Sequence, residues 1–247
     1  MINLGGCKIN KYKYFEKGFN KLSKNKNYLY YYFISDKNSI INLKNNFHYT
    51  LYVIKTSKNK KIKIQDKFIK ISNGCSLNNL KNKKVFFPHA GTHLLIAGSK
   101  GNKNNKIKKT LYKNHYKVTK PWGYELWINE DKSNHVLKEI FIKRDNKTSL
   151  QYHNFKTETN FLFKGSADLF YKKNNKIKNS NVKKKDISKL RIKNFTTVHV
   201  NKKVLHRLKA ASDIKLYEVS TNFLDDVIRI SDDTNRKSGR INSEHKK

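Results

Sequence analysis

The sequence predicts an all-β protein built as a sandwich or barrel. Short apolar runs alternate with polar residues at strand spacing, and polar turns separate them. Long helix-period patterns are missing, and Pro88 and Pro121 are the only prolines in 247 residues. Many short strands with frequent turns are the pattern of two packed sheets or a closed barrel.

In chain order the predicted strands cover residues 29–34, 49–54, 61–71, 136–143, 159–163, 167–171, 196–200 and 214–220. Within 61–71 the repeat Lys-Ile-Lys-Ile, then Gln65-Asp66, then Lys-Phe-Ile-Lys-Ile predicts a hairpin turning at Gln65-Asp66. One short helix is expected around Asp186 to Leu190. A domain boundary is expected near residues 99–117, where Ser99 to Lys109 has a polar, glycine-containing linker composition. Residues 1–110 then form one β-domain and 111–240 a second, with 241–247 a polar tail. The lysine- and asparagine-rich stretch 172–185 lies between strands and is expected to be a long surface loop.

Composition narrows the class of protein. Apolar residues make up 36% and aromatic residues 12%, enough for a core. No apolar run approaches the roughly 20 residues of a membrane-spanning helix. The N-terminus lacks a charged segment followed by an apolar stretch, and Cys7 and Cys75 make neither a disulfide framework nor a ligand spacing. A protein of the cytoplasm, without a membrane partner, is expected. Lys+Arg number 55 against 18 Asp+Glu, a net charge of +37. The excess is lysine accompanied by Asn, Ile, Tyr and Phe, all encoded by A/T-rich codons. Only six arginines occur: Arg144, Arg191, Arg207, Arg229, Arg236 and Arg240. Arginine is the residue that reads bases and phosphates bidentately, so nucleic acid is not the expected partner despite the charge.

The chemistry concentrates in residues 145–165. Gln151 and His153 stand two apart, so on a strand they leave the same face. Glu158 follows after a turn-like stretch and opens an apolar strand. His206 comes after the run ending at Val200. Two imidazoles, a carboxylate and an amide oxygen suit a divalent metal such as zinc, with a position open to water or substrate. Thiolate ligands are absent from the set.

These residues resemble the first motif of the cupin superfamily, G-x5-H-x-H-x3,4-E-x6-G. Asp145 stands in its first glycine place and Gln151 in its first histidine place; His153, Glu158 and Gly165 match. The second motif, G-x5-P-x-G-x2-H-x3-N, is matched only at His206, with Phe195, Asn201, Lys203 and Ala210 in its other places. A closer resemblance is to phosphomannose isomerase-like cupins, the type II mannose-6-phosphate isomerase C-terminal domain. It rests on Lys120-Pro-Trp-Gly-Tyr-Glu-Leu126, Val136-Leu-Lys-Glu-Ile140, Thr148-Ser-Leu-Gln-Tyr-His153, the pair His206-Arg207, and the ending Glu218-Val-Ser through Leu224-Asp-Asp-Val-Ile-Arg229 to Asp232-Asp-Thr-Asn-Arg236. Together these span about residues 117–240.

The resemblance implies a cupin jelly-roll barrel in the C-terminal half, with Gln151, His153, Glu158 and His206 converging in its mouth. Residues 1–110 then read as a degenerate, metal-free cupin-like barrel, making a bicupin, or as an accessory β-domain; His89 and His93 there read as structural. The implied activity is a metal-dependent sugar-phosphate isomerase of the mannose-6-phosphate isomerase type, supplying nucleotide-sugar and polysaccharide synthesis. Arg207 and Lys138 are the expected catalytic cations, and Lys156 and Arg207 the expected phosphate contacts. The alternative is a non-catalytic or differently catalytic metal- and sugar-binding cupin. Pairing of two copies through strand edges is expected of such barrels. The acidic residues Asp225, Asp226, Asp232 and Asp233, with Arg229 and Arg236, read as ion pairs around a strand. No glycine-rich nucleotide loop precedes Lys120.

Overall fold

The computed structural model describes residues 1–4, 6–101, 106–129, 134–172 and 186–245. Its strands run β1 (Ile2–Leu4), β2 (Cys7–Lys11), β3 (Gly18–Lys24), β4 (Leu29–Ile34), β5 (Ser39–Asn42), β6 (Phe47–Lys55), β7 (Lys61–Ile64) and β8 (Lys67–Lys70). They continue with β9 (Ser76–Leu80), β10 (Lys84–Phe87), β11 (His93–Lys100), β12 (Lys108–Thr110), β13 (Tyr116–Lys120), β14 (Gly123–Trp127), β15 (His135–Ile142) and β16 (Leu150–Tyr152). The last are β17 (Glu158–Lys164), β18 (Ser166–Lys172), β19 (Ile187–Lys193), β20 (Thr196–Val200), β21 (His206–Ala210), β22 (Ile214–Thr221) and β23 (Ile228–Ser231). Among the described residues the only helical pieces are short 3-10 turns, and no helix is long and apolar enough to cross a membrane.

The chain divides into two compact units. One comprises Met1–Lys13, Lys117–Trp127 and Lys138–Lys247; the other comprises Tyr14–Tyr116 and Ile128–Leu137. The expected contiguous split at residue 110 is corrected at both ends. Residues 1–13 join the later unit because β2 pairs antiparallel with β20, Cys7 opposite Val200 and Lys11 opposite Thr196. Residues 128–137 join the earlier one.

In the first-named unit, an eight-stranded sheet ordered β1-β2-β20-β17-β22-β15-β14-β13 and a five-stranded sheet ordered β19-β18-β21-β16-β23 share one core. Ile140, Leu162, Val198 and Leu216 from the first sheet pack with Leu169, Ile192 and Leu208 from the second. Strand alternation explains this: every second residue faces in, so one face of each sheet is apolar and buries against the other. The other unit repeats the plan. A six-stranded sheet, β12-β9-β6-β11-β4-β3, and a four-stranded sheet, β5-β10-β7-β8, enclose Phe33, Leu51, Ile64, Val85 and Leu94 among others. The hairpin at Gln65-Asp66 forms as expected: β7 and β8 pair from Lys61 opposite Lys70 to Ile64 opposite Lys67, and Gln65 takes the left-handed backbone with φ 52°.

Other expectations change. The expected short helix around Asp186 to Leu190 is strand from Ile187 on: Ile187–Lys193 is β19, paired along its length with β18, because tertiary pairing overrides a weak local preference. Residues 102–105 of the expected linker and 173–185 of the expected loop lie outside the described residues. The tail is tied down as far as residue 245: Asn242–His245 makes a 3-10 turn, and Glu244 pairs with Lys120 at 2.8 Å and Arg236 at 3.1 Å.

Three glycine places of the cupin motifs are filled here by other residues, and all three keep glycine-like backbone. Asp145, Phe195 and Lys203 have φ of 63°, 61° and 59°. The turns survive the loss of their usual residue, at a conformational cost of about 1 kcal/mol or more each.

Candidate metal centre

Strand β17 opens with Glu158, whose side chain points into the barrel together with that of Asn160, two residues on. Strand β21 opens with His206, and His153 follows β16. All three metal-type ligands are buried, and one donor atom from each lies within 4.8 Å of the others. Among the described residues this is the only such cluster of His, Cys, Asp and Glu.

Both imidazoles are oriented by their outer nitrogens. His153 Nδ1–H donates to the backbone carbonyl of Asp226, and His206 Nδ1–H donates to that of Val204 at 3.0 Å. A carbonyl only accepts, so each Nδ1 carries the proton and each Nε2 lone pair faces the centre. There the Nε2 atoms approach the carboxylate of Glu158, His206 at 3.1 Å from Oε1 and His153 at 3.5 Å from Oε2. Neither Nε2 makes a hydrogen bond of acceptable geometry, although both are buried. Buried, unsatisfied nitrogens aimed at a common point with a carboxylate are what a divalent cation needs and what a packed core avoids. The donor set fits a metal ion.

Lys156 shapes the field of the site. Its Nζ lies 2.7 Å from Glu158 Oε2 and 2.9 Å from Glu218 Oε1. Burial alone would lower its pKa, but the two carboxylates outweigh burial and hold it above the usual lysine range. Glu158 is likewise held well below the carboxylate range: burial opposes, while Lys156 and His206 favour the anion. Burial and the Lys156 charge push His153 down; for His206, burial is outweighed by Glu158, which pushes it up. Asn160 Nδ2 donates to Glu158 Oε1 at 2.9 Å, completing that carboxylate's partners.

An open cavity with an empty volume of about 970 Å³, mouth included, surrounds this group. Gln151 lines it, and its Oε1 accepts a hydrogen bond from Ser149 Oγ at 2.5 Å. Lys138 also lines it, bonded to Glu125 at 2.9 Å and lying 4.6 Å from the Trp127 ring centroid. Lys156 lines it with its charge already matched. Arg207 does not belong to the wall. Alternation along β21 turns it to the face opposite His206, where its guanidinium donates to the carbonyls of Thr148 and Ser231, both at 2.8 Å. The expected role of Arg207 in catalysis and phosphate contact is therefore corrected, and Lys156, expected as a phosphate contact, has its Nζ engaged by Glu158 and Glu218.

Sequence reasoning missed Glu125, Asn160 and Glu218. A usable signal was present. Glu218 shares a strand face with the core residues Ile214 and Leu216, and a carboxylate in an inward register is an anomaly that points to a site. In the other unit, His93 Nδ1 meets the Tyr32 hydroxyl at 2.7 Å, and the carbonyl of His89 accepts from Ser35 Oγ. Of the acidic residues near β23, Asp232 makes the expected ion pair with Arg236 at 2.6 Å. Asp226 instead accepts backbone N–H groups from Asn154, Phe155 and Lys156 at 2.9, 2.6 and 2.9 Å.

Two jelly-roll units, one carrying a His-Glu-His centre in its barrel, define a bicupin. Solved structures share the fold across nearly the whole chain. An IolB-like protein from Salmonella typhimurium LT2 superposes with a TM-score of 0.66 at 13% identity, covering 89% of this chain and 93% of that one. Oxalate decarboxylase from Lactobacillus farciminis, in its formate complex, gives 0.64 at 10% identity, covering 93% and 89%. Oxalate decarboxylase from Bacillus subtilis, a protein with Mn(II) centres, gives 0.60 at 8% identity, covering 89% and 78%. No curated protein matches the sequence. The family model for the mannose-6-phosphate isomerase C-terminal domain matches residues 107–232, just over half of the chain. The chain belongs to that cupin family.

Proposed function

We propose that this protein is a metal-dependent aldose–ketose isomerase acting on a hexose phosphate of the mannose 6-phosphate type. The carrying observation is the pair of Nδ1-anchored imidazoles converging with Glu158 in an open cavity, in a chain of this family. His153, Glu158 and His206 would hold the ion, with Gln151 as the fourth donor once its amide leaves Ser149. Nitrogen and oxygen donors suit zinc; manganese, the ion of the Bacillus subtilis neighbour, is accommodated by the same set.

Bound there, a divalent ion supplies Lewis-acid stabilisation of the negative charge that grows on the two substrate oxygens. The remaining work falls to protein side chains. Isomerisation moves one proton between adjacent carbons and another between their oxygens. Glu218, whose Oε1 contacts only Lys156, is the carboxylate not committed to the ion and is the group to accept a proton. Lys156 sits between Glu218 and Glu158 and sets its charge against both. Lys138, held by Glu125 and Trp127, is the cation to steady a developing oxyanion. Trp122 and Trp127 form apolar parts of the cavity wall. The product would feed nucleotide-sugar and polysaccharide synthesis in the cytoplasm, from a homodimer paired through strand edges.

The test is metal analysis together with coupled conversion of mannose 6-phosphate to fructose 6-phosphate. Wild-type protein is expected to hold one divalent ion and to turn over, while Glu158→Gln and His206→Ala lose both. Metal-loaded, folded wild type with no turnover above the His206→Ala control would overturn the isomerase and leave a non-catalytic metal- and sugar-binding cupin.

A further inference from the structure

Two of the cavity's cations have no carboxylate beside them among the described residues. Lys120 and Lys138 share Glu125, and Lys120 also pairs with Glu244. Lys156 sits between Glu158 and Glu218, and Arg236 between Asp232 and Glu244. Two guanidinium groups remain. Neither Arg229 nor Arg240 has a carboxylate within 4.0 Å among the described residues, and both line the cavity. Asp225 on the same wall is the only carboxylate without a cationic partner there among the described residues, and Lys156 faces two carboxylates, so these six cations and six carboxylates balance before any metal is counted and a divalent ion held by Glu158 would leave the group positive.

Arg229 is fixed in place by its surroundings. Its guanidinium donates through one terminal nitrogen to the carbonyls of Lys237 and Gly239, at 2.5 and 2.8 Å, and its backbone N–H donates to Ser238 Oγ at 3.1 Å. Its Nε is buried without a hydrogen-bond partner. A buried donor without a partner is expensive unless something answers it. Gly239 N–H bonds back to the carbonyl of Val227 at 2.7 Å, and its left-handed φ of 82° turns the chain so that Arg240 follows directly on the anchored turn. Arg240 is exposed, at the rim.

Composition sharpens the point. In a chain where lysine has displaced arginine almost everywhere, three of the six arginines line this one cavity. The guanidinium fork matches a phosphate dianion in a way an ammonium does not.

We propose that Arg229 and Arg240 form an anion seat at the cavity rim that takes the phosphate of a phosphorylated substrate, with Arg236 as a positioning residue. The assignment rests on the isomerase reading for its substrate but not for its anion. It also replaces Arg207 and Lys156, whose charges are spent elsewhere.

The experiment measures binding of inorganic phosphate, mannose 6-phosphate and mannose to metal-loaded protein by calorimetry. Arg240 makes no hydrogen bond or ion pair among the described residues, so Arg240→Met removes only the charge at the rim, and Arg229→Lys keeps the charge while removing the fork. Each is expected to weaken phosphate and mannose 6-phosphate at least about 10-fold and to leave mannose affinity and metal content unchanged. Failure of the parent to bind phosphate, or parent-like phosphate binding by both variants, would overturn the seat. Turnover of mannose 6-phosphate with variants unaffected removes the seat and leaves the isomerase. Loss of phosphate binding in the variants of a protein without turnover upholds the seat and removes the isomerase.

Discussion

Lys156 and Glu158, two residues apart, hold an ammonium nitrogen and a carboxylate oxygen 2.7 Å apart inside the barrel, with Glu218 completing the triad from the neighbouring strand. Removing the lysine leaves two buried carboxylates facing each other. Lys156→Met is therefore expected to destabilise metal-free protein by about 3–5 kcal/mol, measured by urea unfolding. The loss should be smaller in metal-loaded protein, where the ion still neutralises Glu158. Equal losses with and without metal would contradict a shared site.

Asp226 ties the segment after His153 by accepting three backbone N–H groups, while its own carbonyl receives His153 Nδ1–H. Asp226→Ala is expected to cost about 2 kcal/mol of stability. Metal affinity should fall by about 10–100-fold, the usual effect of losing a group that orients a ligand. Asp226→Asn keeps one acceptor oxygen and should fall between. Unchanged metal affinity in Asp226→Ala would show that His153 is oriented by other means.

The left-handed backbone at Lys203 serves a turn that hands its N–H to the carbonyl of His153, while its side chain is exposed. Lys203→Gly removes strain without removing a contact and is expected to stabilise by about 1 kcal/mol, seen as a higher Tm. Gly165 presents the opposite case. At φ 93° an added Cβ would collide with the carbonyl of Asp213, so Gly165→Ala should destabilise by at least about 2 kcal/mol. A neutral Gly165→Ala would mean that the β17–β18 turn is free to move.

His135 is buried with Nδ1 2.7 Å from Ser99 Oγ and Nε2 3.2 Å from Thr50 Oγ1, and burial, with a smaller contribution from His48, pushes its pKa down to about 4. The unfolded chain binds its proton near pH 6.5, so stability is full above that pH and is lost as pH falls toward 4. The loss amounts to about 3 kcal/mol at most. Thermal unfolding of wild type between these limits should show this slope, and His135→Gln should show less of it. Identical slopes would remove His135 as the cause.

The strands of both units were legible because alternation is a local signal. Residues 29–34 and 196–200 coincide with β4 and β20, and 159–163 differs from β17 by one residue at each end. Gln151, His153 and Glu158 were legible because a fixed spacing within one motif survives in the chain. Arg207 misled because adjacency to His206 in sequence means opposite faces on a strand. Glu218 showed as a carboxylate in an inward register, but only strand pairing ties it to this cavity, and Arg229 and Arg240 reach the rim on β23 and the turn after it, which no local pattern reveals.

By itself the sequence determined the all-β class, most of the strands, the ligand types and a family resemblance, since each is written in periodicity or short spacing. Tertiary structure alone decided which cations are neutralised, which way Arg207 faces, that residues 1–13 complete the barrel that holds His153, Glu158 and His206, and that Asp145, Phe195 and Lys203 hold glycine-like turns. Those outcomes depend on which side chains share a volume, and shared volume is a property of packed sheets rather than of any stretch of chain.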